Sequence, residues 1–192
     1  MIATLLLIAC TAIAAATDVA WQKIFNHTTY SGIVAAWLLA ALRSGLEYQN
    51  LVSPEVLDFW SLVGLPDSLL SFAMCGVLLL FCFVLFRIGG GDVKLLAMVG
   101  AFLGVEQGLE ALLWTFVLGG VLAVVVLIWR VGALELLRRS WLTVWLFVTR
   151  SAPSPLTKSD REILGSRLYL GPCALLGVVI VRFELIDYFP SL

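Results

Sequence analysis

The order of apolar and polar positions divides the chain into long apolar stretches joined by short polar connections. The stretches cover roughly 2–17, 31–46, 69–86, 93–109, 111–129 and 169–186. A helix of about 20 mostly apolar residues crosses a bilayer core, so the pattern predicts about six transmembrane helices. The fourth is short and contains glycine. A different pattern covers 134–149, where Leu134, Leu137, Trp141, Val144, Trp145 and Val148 share one helical stripe and Arg138 and Arg139 lie off it. The apolar run 141–149 is too short to span, so this segment reads as an amphipathic helix lying in the interface, within the connection 131–168. The polar, proline-broken loop "SAPSPLTKSDRE" follows it. The expected architecture is one all-α integral membrane domain over 1–192.

Composition agrees with this. Of 192 residues 61% are hydrophobic and only 13% charged, about half the charge of a soluble domain. The net charge of -1 argues against nucleic acid as a partner. Cys10, Cys75, Cys82 and Cys173 all fall in apolar stretches and form no C-x-x-C pair, so they read as small packing residues. A single histidine, His27, excludes a multi-histidine metal site, and no cofactor is expected. No lysine or arginine precedes Lys23, so the first stretch lacks the basic start of a signal peptide and reads as an uncleaved span.

The charges between the stretches are sorted by sign. Lys23, Arg87, Lys94, Arg130, Arg138, Arg139, Arg150, Lys158, Arg161 and Arg167 fall on alternate connections. Glu47, Glu55, Asp58 and Asp67 lie in 47–68, and Glu106 and Glu110 in the turn 104–110. By the positive-inside rule the basic connections are cytoplasmic and both termini lie outside. Arg43 and Arg182 are the exceptions. Arg43 is expected to pair with Glu47, and Arg182 with Glu184 or Asp187.

Two aspartates stand out. Asp18 closes the first stretch and Asp92 opens the fourth; two crossings separate them, so they lie level at one membrane face whatever the orientation. Two carboxylates brought together there would share a proton. One would then take a proton from water while the other donates to a peptide carbonyl. The run "RIGGGDVKLLAMVG" at 87–100 fits: its glycines permit left-handed backbone and close approach to a substrate strand. A helix opening at Asp92 favours an anion there, so Asp92 is expected to carry the charge more often. Two plainer readings stand beside this one. "GGGD" is a common arrangement of helix ends, and Asp18 is placed to pair with Lys23.

Gly89-Gly90-Gly91-Asp92 is a G-x-G-D motif, and "GGGDVKLLAMVGAFLG" resembles the second active-site segment of the type IV prepilin peptidases. That family's first segment is an aspartate, five residues, then isoleucine, proline and asparagine. Asp18, Ile24 and Asn26 match it, with Phe25 at the proline position, and "LYLGPCALLG" (169–178) looks like the family's final helix.

The resemblance implies a membrane aspartic endopeptidase with Asp18 and Asp92 catalytic. It would remove the basic leader of a prepilin or pseudopilin at the cytoplasmic face of the inner membrane. Gly89, Gly91, Lys94, Lys23 and Asn26 are the candidate supporting residues. Lys23, Lys94 and Asn26 would orient substrate or tune the acids, or else serve in structural salt bridges. The larger bifunctional relatives carry a cysteine-paired region for N-methylation ahead of the first aspartate helix. The chain opens on that helix, so it resembles the peptidase-only forms that serve Flp/Tad pili, and no methyltransferase activity is expected. Membrane lipid is the expected surrounding. The rival readings are a presenilin or signal-peptide-peptidase type of intramembrane protease, and a non-enzymatic assembly subunit.

Overall fold

A computed structural model describes residues 1–21, 23–49, 52–86, 89–131, Trp141 and 170–184. The described residues form seven helices and no strand: α1 (Ile2–Trp21), α2 (Asn26–Tyr48), α3 (Pro54–Phe59), α4 (Leu65–Phe86), α5 (Gly90–Leu103), α6 (Val105–Val131) and α7 (Leu170–Arg182). The contacts divide the chain into residues 1–118 with 169–192, and residues 119–168. Of the second unit only the last turns of α6 and Trp141, helical and exposed, are described. The expected interfacial helix over 134–149 otherwise lies outside the described residues.

The all-helical expectation holds, and three of the expected spans are matched by helices of spanning length and composition. Among the described residues three helices are long and apolar enough to cross a membrane: Ile2–Trp21, Leu65–Leu85 and Val105–Val126. The 23-residue α2 has the length but is more polar, whereas α5 and the described part of α7 have 14 and 13 residues. At about 1.5 Å per residue, α5 rises roughly 21 Å, short of a core about 30 Å thick.

The short helix is the central one. Every residue of α5 from Leu95 to Leu103 is buried, as expected of a helix apolar on all sides. It packs on α4, α2, α1 and α7. Small residues bring the backbones close. A Cβ added to Gly100 would lie 2.9 Å from Cys75 Sγ and 3.0 Å from Ser71 Oγ. The two serines of α4 also bond across the contact, Ser68 Oγ donating to the Ala101 carbonyl at 2.6 Å and Ser71 Oγ to that of Gly104 at 2.7 Å.

The expected stretch 93–109 does not run through as one helix. It breaks at Gly104, whose φ of 81° is costly for any residue with a Cβ. Glu106 and Glu110 therefore belong to the first turns of α6, and Asp67 of α4 accepts a hydrogen bond from the Val105 N–H at 3.3 Å. This contact joins the two acidic connections at one end of the bundle. Arg43 pairs with Glu47 at 2.7 Å as expected. Arg182 does not pair with Glu184. Its guanidinium donates to Thr4 Oγ1 and to Gln107 Oε1, each at 2.7 Å. These acceptors stand on two other helices, and Asp187, the other expected partner, lies outside the described residues.

Candidate active site

At the other end of the bundle, α1, α2, α5 and α7 meet. Asp18 lies in the last turn of α1 with 8% of its surface exposed. Its Oδ2 accepts a 2.9 Å hydrogen bond from the backbone N–H of Gly171, in the first turn of α7. An anion is poorly placed at the C-terminal end of its own helix, and the N-terminal end of α7 offsets that.

Asp92 is half-buried in the first turn of α5, ahead of that helix's apolar run. The helix is capped at Gly89, with φ -64° and ψ 134°. Asp92 is the third helical residue, and its carboxylate folds back over the cap as the acid of a capping box does. A Cβ at position 89 would lie 2.8 Å from Asp92 Oδ2.

Burial first, and the negative charge of Asp18 second, push the Asp92 carboxyl up to about 6, while a backbone hydrogen bond from Gly89 pulls the other way. Asp92 therefore keeps its proton to a higher pH than an ordinary aspartate, contrary to what its position at a helix start alone suggests. Burial and a neighbouring anion together outweigh one favourable helix end.

The glycines also act otherwise than expected. Among the described residues Gly104 is the one glycine at positive φ, so 89–91 use no left-handed backbone. What they supply is space. Gly89 admits the Asp92 carboxylate. At Gly91 a Cβ would lie 3.1 Å from Ile24 Cβ, in the segment joining α1 to α2.

Three supporting candidates separate here. Lys94 Nζ donates to Asn26 Oδ1 at 3.0 Å and lies 4.9 Å from the centre of the Tyr30 ring. Lys94 and Asn26 thus serve each other, pinning the start of α2 to α5, and Tyr30 is a partner that the sequence pattern did not single out. Lys23 is exposed and makes no hydrogen bond or ion pair among the described residues, so the expected pairing with Asp18 is not formed. Phe25, at the proline position, caps α2 with φ -72° and ψ 131°. These are angles a proline adopts, so the backbone at position 25 would accept one.

A family model, the type IV leader peptidase family, matches residues 5–124. The chain belongs to that family. The match includes both aspartates and the G-x-G-D segment, and it makes the chain a peptidase. Neither a curated protein nor a solved structure matches it significantly. The family match ends before α7, so Gly171 lies outside it.

Proposed function

We propose that the protein is an aspartic endopeptidase that removes the basic leader of a prepilin or pseudopilin at the cytoplasmic face of the inner membrane. The observation that carries this reading is the electrostatic coupling of Asp18 and Asp92, which stand on different helices. A pair holding one proton has what amide hydrolysis needs. Asp18, ionised, takes a proton from water as the oxygen adds to the scissile carbonyl carbon, and Asp92 gives its proton to the carbonyl oxygen. The tetrahedral intermediate then collapses, the C–N bond breaks and the leaving nitrogen is protonated. The sorting of basic connections supports a cytoplasmic site with both termini outside, in a lipid bilayer. Lys94 and Asn26 act by holding α2 against the helix that carries Asp92.

Co-expression with a prepilin, read by mass spectrometry of the processed product, tests the proposal. Wild type should cut between leader and apolar helix, and Asp18→Asn and Asp92→Asn should each abolish the cut. Normal processing by both variants would remove the dyad from the chemistry. Cleavage confined to the interior of a transmembrane helix would favour the intramembrane-protease alternative.

A further inference from the structure

We propose that Gly171 is a positioning residue for Asp18: its backbone N–H, presented at the start of α7, holds the carboxylate in its working orientation. The inference rests on the peptidase reading above. It makes the last helix part of the site, although that helix lies beyond the matched family segment.

Three features of the chain support it. The bond itself is short and buried, at 2.9 Å from the Gly171 nitrogen to Asp18 Oδ2. Beside Gly171 in α7 stands Pro172, which has no N–H to offer. The proline leaves Gly171 as the donor at this point, and the acceptor comes from another helix.

Glycine is also needed there sterically. A Cβ would lie 3.0 Å from both Asp18 Cβ and Asp18 Oδ2 and 3.1 Å from Ala15 Cα. A backbone carbon of a packed helix cannot give way as the tip of a flexible side chain can. Any larger residue must part α1 from α7 or turn the carboxylate away. Asp18 is itself buried and α1 packs along α7, so Asp18 is held by its surroundings on one side and by this bond on another. An acid that must face both a water and Asp92 gains from such fixing, because a misplacement near 1 Å can cost about 100-fold in rate.

The test replaces the N–H by an ester oxygen and leaves the side chains unchanged. Glycolic acid incorporated at position 171 replaces the amide by an ester, and wild type, this variant and Gly171→Ala are assayed in phospholipid vesicles on a purified prepilin. The expected result for the ester is a kcat lower by about 10- to 100-fold, with KM and the thermal unfolding midpoint unchanged. Gly171→Ala keeps the N–H but displaces the acid, and should also lose kcat with KM retained. An ester at Leu170, which removes the neighbouring N–H of the same helix start, should leave kcat within twofold. The proposal is overturned if wild-type cleavage requires Asp18 and both 171 variants keep kcat within twofold. It is also overturned if the 170 and 171 esters lose kcat equally, or if KM rises in step with the loss. Wild-type cleavage that survives Asp18→Asn would instead defeat the peptidase reading itself.

Discussion

Asp92→Asn should make the protein more stable at neutral pH while removing its activity. The Asp92 carboxyl is raised from 3.8 to about 6, by burial and then by the charge of Asp18. Between those values the folded protein binds a proton that the unfolded chain has released, so stability is greatest below about pH 4 and falls as pH rises through 6. At about 1.36 kcal/mol per pKa unit the whole effect approaches 3 kcal/mol at pH 7. Asp92 is half-buried, and solvent screening reduces this to about 1–2 kcal/mol. Asparagine keeps an oxygen that can accept from Gly89 and carries no charge, so the variant gains that amount at pH 7 and almost nothing at pH 4. Equilibrium unfolding in dodecylmaltoside with increasing dodecyl sulfate, at pH 4, 5, 6 and 7, measures the difference. Asp18→Asn is the companion. It removes the second cause and keeps the first, so it should flatten the pH slope only in part. A stability difference between wild type and Asp92→Asn that is absent at pH 7, or equal at all four pH values, would refute the reasoning.

The backbone yields three further expectations. Gly104→Ala should destabilise by about 1–3 kcal/mol in the same unfolding assay, because position 104 has φ 81° and the added Cβ meets the Asp67 carboxylate that caps α6. Gly89→Ala should lower prepilin cleavage at least about tenfold with little change in unfolding. The cap angles suit alanine, but its Cβ would stand 2.8 Å from Asp92 Oδ2 and turn the acid away. Phe25→Pro should stay within about 1 kcal/mol of wild type in unfolding and keep its processing activity. The gain from a stiffer unfolded chain offsets the lost ring contact with Trp21 at 5.9 Å.

The helices were legible because apolar length is a local property, and the expectation that the two aspartates share one membrane face came from counting crossings along the chain. Height alone does not say which helices touch. Lys94 found Asn26 and Tyr30 on α2, and Arg182 found Thr4 and Gln107, each by a long side chain reaching across helices. Arg43 with Glu47 was read correctly because that pair sits one turn apart on one helix. The break at Gly104 escaped notice for a related reason: the residues on both sides are apolar, and what ends the helix there is a backbone angle rather than a change in polarity.

The difference between the two acids shows the same limit at the site itself. Seen alone, Asp92 has a favourable position at the start of its helix, while Asp18 has an unfavourable one at the end of its own. Folding adds α7, whose first turn faces Asp18 and gives it a donor from a segment far along the chain. It also buries Asp92 beside that charge. Two equal carboxyl groups thus become unequal through their neighbours: Asp18 gains a backbone donor, and Asp92 is buried near the charge of Asp18. In the proposed reaction that inequality is what would let a pair of identical side chains divide the work of base and acid.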